Sequence, residues 1–377
     1  MSPKNKVPKM SKKQKAFLSC LLLAVLIIYY LFFDPSVEAN LLPVTTSTAT
    51  QSAPSSQLNY EVHFTSPQND FVGNTQDSIE YQLIEKIDSA QSTLQGAFFE
   101  FDLQSVADAL IRAHDRGVNV QIVYDDEHTE QDPQMAMLAR AGIKTIPDER
   151  SAFMHNKFLV VDGACVWTGS FNLTVNAAYK NNENAVYLCD QEIVQNYQTE
   201  FSEMFAGQFG PTSPENTPHL LFDIDGARVQ NYFAPEDNVM DKVISTVADA
   251  KTSVRFLAFS FTDENLAQEM VELANRGVII EGVFETRGAS TDSSMCSYLS
   301  QNGASIRTDG NKYTMHHKVI IIDQEVVIFG SFNFSNNANK SNDENLVIVY
   351  DQALAKDFEQ EFFRVYSQSN IANKNCD

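Results

Sequence analysis

The chain of 377 residues is acidic, because 27 lysines and arginines are set against 49 aspartates and glutamates, giving a formal net charge of −22. Six lysines precede residue 16, so the remaining chain carries −28. A body this acidic is poorly suited to holding long nucleic acids by neutralising their phosphates, although a local basic groove is compatible with the total.

The N-terminal segments predict a membrane anchor followed by a tether. Residues 1–15 form a basic tail, and residues 16–33 carry no charge over a length that can span a bilayer. The positive-inside rule then keeps the tail cytoplasmic and places the body outside the cytoplasm, in a periplasmic, extracellular or lumenal space. Val37-Glu38-Ala39 also suits signal cleavage, so a secreted form is the alternative. Residues 34–59 are predicted as a flexible polar linker.

From residue 60 onward the chain is an internal repeat. The segments HNKFLVVDGACVWTGSFN (155–172) and HHKVIIIDQEVVIFGSFN (316–333) share the pattern H-x-K-x4-D-x6-G-S-F-N. A repeat of this size predicts two fused copies of one α/β domain, not a solenoid. The predicted segments are half 1 (60–210), a linker (211–226) and half 2 (227–370).

Helical and strand periodicities alternate within each half. The predicted elements are a helix (77–90), a strand (93–101), a helix (103–116) and a strand (118–124) in half 1, and their counterparts 239–250, 253–261, 264–276 and 278–284 in half 2. Each half continues with a short helix, the motif strand, a turn, a second strand and a C-terminal helix. This order predicts a mostly parallel or mixed sheet that helices cover on both faces.

The cysteines predict no set of disulfide bonds common to the two halves. Cys165 and Cys189 could bridge neighbouring strands in an oxidising compartment, but Val326 and Tyr350 stand at the corresponding positions of half 2. Ordinary buried thiols are therefore the preferred interpretation. No C-x-x-C or H-E-x-x-H spacing is present, so neither a metal nor another cofactor is expected.

Each motif strand presents a histidine and a lysine on one face, because residues i and i+2 of a strand point the same way. Asp162 has the opposite parity and lies at a turn, where capping the hairpin is its expected role. The extra histidine of the second motif, His317, should point to the opposite face and be structural or solvent-facing, which is also the default for His128. The candidate catalytic residues are His155, Lys157, Asp162, His316, Lys318 and Asp323.

The serine and asparagine of each G-S-F-N segment share parity, so their hydroxyl and amide groups can point to the same side as the motif histidine and lysine. If the halves pack about a pseudo-twofold axis, the paired imidazoles, ammoniums and neutral donors converge on a site that suits a tetrahedral oxyanion such as phosphate. A glutamate eleven residues beyond each asparagine could fix the imidazole tautomer. The predicted phosphate-binding residues are Ser170, Asn172, Ser331 and Asn333, and the glutamates are Glu183 and Glu344.

Together these motifs resemble the signature of the phospholipase D superfamily, over about residues 60–367. The resemblance implies an α/β/α sandwich in each half, one metal-free active site between the halves and complete within one chain, and a two-step exchange. One histidine attacks phosphorus to form a phosphohistidine, and the other protonates the leaving oxygen and then activates water or an alcohol. By this analogy His155 is the nucleophile and His316 the acid and base, although the near-symmetry of the site offers no physical reason for that order.

Two substrate classes stay open at this point. The anchor, the tether and the acidic body favour a membrane-tethered phospholipase D that removes or exchanges the head group of a phospholipid. The alternative is a nuclease of the same superfamily that acts on nucleic acid outside the cytoplasm. A non-catalytic scaffold is disfavoured, because both motifs are complete.

Overall fold

The computed structural model describes residues 58–67, 78–129, 132–372 and 376. The predicted tail (1–15) and membrane span (16–33), with all but the last two residues of the first linker, lie outside the described residues. No helix within the described ranges is long and apolar enough to span a bilayer.

Half 1 is built on a seven-stranded mixed sheet with the order β1-β7-β6-β5-β2-β3-β4. Strands β2, β3 and β4 are parallel to one another, whereas β5, β6, β7 and β1 pair antiparallel. The motif strand β5 is central and buried along its whole length, because both faces of the sheet are covered. The strands are β1 (Tyr60–Phe64), β2 (Thr93–Phe98), β3 (Asn119–Tyr124), β4 (Lys144–Pro147), β5 (Lys157–Val161), β6 (Cys165–Gly169) and β7 (Asn184–Leu188).

Half 2 repeats this arrangement in a nine-stranded sheet. Its strands are β8 (Leu221–Ile224), β9 (Ala227–Ala234), β10 (Ser253–Ala258), β11 (Ile279–Phe284), β12 (Ser305–Thr308), β13 (Lys318–Ile322), β14 (Val326–Gly330), β15 (Glu344–Tyr350) and β16 (Asn370–Ile371). They follow the order β16-β12-β11-β10-β13-β14-β15-β9-β8. Part of the predicted second linker is therefore a strand: β8 alternates exposed and buried residues and pairs antiparallel with β9.

Helices cover both faces of each sheet. Those of half 1 are α1 (Ile79–Ser89), α2 (Gln104–Asp115), α3 (Asp126–Thr129), α4 (Pro133–Arg140), α5 (Val175–Tyr179) and α6 (Gln191–Phe205). Those of half 2 are α7 (Val239–Ala248), α8 (Glu264–Asn275), α9 (Thr286–Ala289), α10 (Cys296–Gln301), α11 (Asn336–Lys340) and α12 (Gln352–Gln368). The long helices α6 and α12 begin at equivalent N-caps, where the carboxylates of Asp190 and Asp351 accept backbone N–H groups of the first turn.

The two halves share one hydrophobic core. The apolar faces of α6 and α12 lie between the sheets, where Tyr197 and Phe358 belong to the same buried cluster as Phe158 of β5 and Val319 of β13. Separate clusters lie beneath the outer helices, α1 and α2 in half 1 and α7 and α8 in half 2. Because the shared core fixes the motif strands of both halves against each other, it also fixes the ends of those strands.

Two disulfide bonds correct the cysteine prediction. Cys165 and Cys189, preferred as free thiols from the sequence, are bonded to each other, and Cys296 is bonded to Cys376. The first pairing follows from the strand register, which sets Val166 opposite Leu188 and so brings the two adjoining cysteines together. The sequence comparison missed it because half 2 holds its own disulfide at a different place.

Removing the second disulfide should destabilise the protein strongly. The bond closes a chain segment with a sequence separation of 80 residues. A loop of this length predicts a loss of about 4 kcal/mol of unfolding free energy for the double variant Cys296→Ser, Cys376→Ser. Urea unfolding under non-reducing conditions measures the loss, with Cys20→Ser as the control that should not change it. An unchanged midpoint in the double variant would show that the bond does not constrain the unfolded chain.

Candidate active site

Residues from both halves line one cavity of about 810 Å³. His155 and Asn172 contribute from half 1, and His316 and Asn333 contribute from half 2. The two motif histidines lie two residues before the first residues of β5 and β13, so the shared core that packs these strands also brings the histidines to one place. Four of the residues predicted from the motifs therefore meet in this cavity.

Each histidine is anchored by the other half. The backbone N–H of His155 donates to the carbonyl oxygen of Asp343 (2.9 Å), and that of His316 donates to the carbonyl oxygen of Asn182 (3.0 Å). These two acceptors directly precede the glutamates Glu344 and Glu183. The backbone pairing therefore sets each imidazole beside the glutamate of the opposite half.

The side chains complete this crossed pairing. Nδ1 of His155 lies 2.7 Å from Oε2 of Glu344, and Nδ1 of His316 lies 2.9 Å from Oε2 of Glu183. An ionised carboxylate only accepts, so whenever its glutamate is ionised Nδ1 of each ring carries the hydrogen and Nε2 keeps a lone pair. The sequence identified both glutamates as partners of imidazoles, but it did not show that each one serves the other half.

Ser170 and Ser331 do not reach the cavity, which corrects their predicted role in phosphate binding. Oγ of Ser170 donates to Glu183 (2.6 Å), and Oγ of Ser331 donates to Glu344 (2.7 Å). Both serines are fully buried, and both also accept the backbone N–H of the residue that follows the glutamate. They hold the carboxylates that hold the histidines.

The two asparagines remain at the cavity wall. Nδ2 of Asn172 donates to Glu100 (2.6 Å), whereas Oδ1 of Asn172 and Oδ1 of Asn333 have no partner among the described residues. Their predicted contact with phosphate stays a proposal. A phosphate oxygen would need the amide nitrogen, which in Asn172 is engaged by Glu100.

The two motif lysines lie buried next to the histidines. Nζ of Lys157 donates to the carbonyl oxygen of His155 (2.6 Å) and lies 4.7 Å from the ring centre of Phe99. Lys318 repeats this with the carbonyl of His316 (2.8 Å) and with Phe259 (4.6 Å). Burial lowers the pKa of Lys157 to about 8 and that of Lys318 to about 7.

The same environment shifts the pKa values of the two glutamates in opposite directions. Burial raises the pKa of Glu344 to about 8. Burial also acts to raise the pKa of Glu183, but its interactions with the imidazole of His316 and the ammonium of Lys318 reverse that effect and leave the pKa below its usual value. Burial together with the nearby lysines lowers the pKa of His316 to about 4, and the pKa of His155 also lies well below its usual value. The near-symmetric site is thus unequal in charge.

Asp162 and Asp323 lie at the other ends of the motif strands, outside the cavity lining. Asp162 has a φ of 54° in the β5–β6 turn and accepts the backbone N–H groups of residues 91–93. Asp323 does the same for residues 251–253. These bonds lower the pKa of both carboxyls against the opposing effect of burial. A direct catalytic role is thereby corrected to the turn-capping role also considered for Asp162.

The cavity wall is aromatic and its charged groups are mainly acidic. Five phenylalanines line it, together with four carboxylates and one arginine. The phenylalanines are Phe99, Phe153, Phe259, Phe261 and Phe284, and the charged residues are Glu100, Asp102, Asp132, Glu285 and Arg287. This is not the long positive groove that a polyanion would require.

A family model described as cardiolipin synthase, phospholipase D-like domain, matches residues 83–205 and 243–366. The chain belongs to the phospholipase D superfamily. Both matched ranges hold one complete motif each, so this phospholipase D-like chain carries two copies of the domain.

Known relatives agree with this family, and a solved structure agrees with the fold. Mitochondrial cardiolipin hydrolase from Xenopus tropicalis is 38% identical over 130 residues, which are 34% of this chain and 61% of the relative. A phospholipase D from Rickettsia prowazekii is 27% identical over 155 residues, 41% of this chain and 76% of the relative. The crystal structure of phosphatidylserine synthase from Haemophilus influenzae matches with a TM-score of 0.63 at 13% identity, covering 84% of this chain and 88% of that one, and it supports the fold. The chain spans less than two thirds of the cardiolipin hydrolase's length.

The motifs gave no indication of His128, which also lines the cavity of this phospholipase D-like protein. Its Nδ1 lies 2.8 Å from Oδ1 of Asp125, and its ring centre lies 4.3 Å from that of Phe99 and 4.8 Å from that of Phe153. Half 2 has Gly288 at the corresponding position, so the repeat could not identify it. The available signal was its position just after β3, where strand ends form sites in α/β folds.

The remaining histidine of the motifs is structural. His317 is fully buried, with Nε2 2.9 Å from Oε1 of Glu361 and Nδ1 2.7 Å from Nδ2 of Asn184. It does not line the cavity, in agreement with the expected opposite face. Of its two predicted roles, structural and solvent-facing, the burial of His317 agrees with the structural one.

Proposed function

We propose that this protein is a phosphodiesterase that hydrolyses or exchanges the head group of a phospholipid through a phosphohistidine intermediate. The observation that carries the proposal is the crossed pairing. Two imidazoles face one cavity, and each is held through Nδ1 by a carboxylate of the other half, which leaves Nε2 for chemistry. Two nucleophile-type nitrogens that line one cavity suit a double displacement at phosphorus.

In the first step Nε2 of His155 attacks phosphorus, and the bond from phosphorus to the head-group oxygen breaks. His316, protonated on Nε2, gives that proton to the leaving oxygen. In the second step neutral His316 takes a proton from water or an alcohol, whose oxygen attacks phosphorus and breaks the P–N bond. Lys157 and Lys318 do not line the cavity, but their charges lie beside the carbonyl groups of the two histidines and stabilise the negative charge on the phosphoryl oxygens at a distance. No metal or cofactor takes part, so activity should persist in EDTA.

The unequal glutamates support this order of roles. Glu183 keeps a pKa below its usual value, so it stays ionised and can stabilise an imidazolium at His316. Glu344, with its pKa raised to about 8, offers less charge to a protonated His155. The proton for the leaving group is therefore better held on His316, and His155 is better kept neutral as the nucleophile.

The cavity wall supports a phospholipid as the substrate. A quaternary ammonium head group is attracted by aromatic faces and by carboxylates, and both surround the histidines. The same carboxylates repel the flanking phosphates of a nucleic acid. The predicted membrane anchor, which lies outside the described residues, would suit this substrate, and the two disulfides are of a kind that persists in oxidising compartments.

The test compares both substrate classes directly. The purified full chain, with EDTA present, is incubated with phosphatidylcholine or cardiolipin vesicles and, separately, with labelled single-stranded DNA. Head-group release, or exchange with added ethanol, without nucleotide release is the expected result. Nucleotide release without lipid cleavage would replace the proposal with a nuclease, and no cleavage of either substrate would contradict both.

The pH dependence of kcat/KM should fall past about pH 4, as His316 loses its proton, and should show a further alkaline limb between pH 7 and 8. Each lysine is charged below its lowered pKa and neutral above it, so stabilisation of the phosphoryl oxygens is lost as the pH rises past about 7 for Lys318 and about 8 for Lys157. Lys318→Arg stays charged throughout, so its limb should move toward pH 8. A limb that does not move in this variant would assign the titration to another group, such as Glu344.

A further inference from the structure

The repeat contains a second charged cluster, on the face of each motif strand that points away from the cavity. In half 2 the buried Glu361 of α12 is fully neutralised. Nε2 of His317 lies 2.9 Å from its Oε1, and Arg364 donates through Nη2 to Oε1 (2.6 Å) and through Nε to Oε2 (2.7 Å). One carboxylate is thus held between two basic side chains.

Half 1 has the glutamate but neither basic residue. Glu200 of α6 corresponds to Glu361, and the positions of His317 and Arg364 are occupied by Asn156 and Glu203. Nδ2 of Asn156 donates to Oε1 of Glu200 (3.1 Å), which replaces the contact of the histidine by that of a neutral amide. The guanidinium has been replaced by a second carboxylate.

A third carboxylate completes the cluster from the other half. Glu236 follows β9 of half 2, and one oxygen from each of Glu200, Glu203 and Glu236 lies within 4.8 Å of the others. Glu203 is only 7% exposed, yet its Oε1 has no hydrogen-bond partner among the described residues, and neither has Oε2 of Glu236. Burial raises the pKa of Glu200 well above its usual value and that of Glu236 to about 8. The cluster lacks the positive charge that its counterpart contains.

We propose that a hard divalent cation of the Ca²⁺ type binds Glu200, Glu203 and Glu236 and takes the structural place that Arg364 and His317 hold in half 2. Carboxylate oxygens without thiolate or imidazole are the ligands such ions prefer. Because α6 belongs to half 1 and Glu236 to half 2, the ion ties the halves together. None of the three residues lines the active-site cavity, so the ion stabilises the protein and takes no part in the chemistry.

Binding is tested with the full chain and CaCl₂ at constant ionic strength. Isothermal calorimetry should show one saturable site that releases protons, because carboxyls with raised pKa values must ionise to bind the ion. Saturating Ca²⁺ should raise Tm by roughly 5 °C over the value in EDTA. If Ca²⁺, Mg²⁺ and Mn²⁺ all fail to bind saturably, the proposal is wrong, and the three carboxyl groups are instead a cluster that shares protons.

The repeat supplies the decisive variant. Glu203→Arg copies Arg364, so its Tm should exceed that of the wild type in EDTA and should no longer rise with Ca²⁺. Glu325→Gln, an exposed control, should keep the full wild-type response. If Glu203→Arg does not fold, Glu203→Gln should weaken Ca²⁺ affinity by about tenfold or more. An undiminished response in the Glu203 variants would assign the effect to the acidic surface and overturn the proposal.

Discussion

Replacing either motif histidine is expected to remove phosphodiester cleavage, by about 10⁴-fold or more in kcat. His155→Ala removes the nucleophile, and His316→Ala removes the acid and base, while the other parts of the site remain. The two losses should not add in the double variant, because the residues act in one reaction. Head-group release measured under single-turnover conditions gives the comparison.

The control for both variants is His114→Ala, a histidine of α2 that does not line the cavity and should leave kcat unchanged. Circular dichroism and the unfolding midpoint establish that each variant is folded. Cleavage that survives in both motif variants would mean that the two halves do not form one site. Survival in one of them alone would assign all the chemistry to a single half.

Glu344→Gln is expected to lower kcat by about 10²-fold, with a smaller effect on KM. Its carboxylate lies 2.7 Å from Nδ1 of His155, so the amide weakens the bond that fixes the tautomer of the nucleophile in the other half. In a ¹⁵N-histidine NMR spectrum the imidazole signals of His155 should shift, while those of His316 should change little. Glu183→Gln should give the reverse pattern.

The matched control is Glu325→Gln, which should change neither the rate nor the spectrum. The NMR spectrum distinguishes a specific effect on the position of one imidazole from a general loss of structure, because a general loss would shift the signals of both histidines. If Glu344→Gln shifted the signals of His316 and left those of His155 in place, each glutamate would serve its own half. The crossed arrangement would then be wrong.

The repeat of motifs was enough to predict the mixed α/β architecture and the meeting of His155 with His316. The architecture follows from local information, because strand parity and periodicity can be read from consecutive residues. The meeting of the two histidines also required the assumption that the halves pack about a pseudo-twofold axis. Parity also placed His317 on the far face correctly. Parity did not predict the contact of Ser170, because its hydroxyl donates to the buried Glu183 and does not reach the cavity.

The features that the sequence did not show depend on long-range packing. The crossed pairing of Glu344 with His155 requires the register between the halves, which no single segment encodes. The Cys165–Cys189 bond depends on strand register, and the Cys296–Cys376 bond joins distant segments. His128 was missed for another reason, because the repeat has no counterpart for it and comparison of the halves reveals only what they share.

The measurement that tests the central claim most directly is the trapping of the covalent intermediate. The wild-type enzyme is mixed with a phosphatidylcholine labelled in its phosphatidyl part, and the reaction is quenched rapidly. The protein is then digested, and the labelled peptide is identified by mass spectrometry. We expect an acid-labile, base-stable adduct on His155, absent from His155→Ala. A label on a serine or on His316, or product release with no labelled enzyme at any time, would contradict the proposed mechanism.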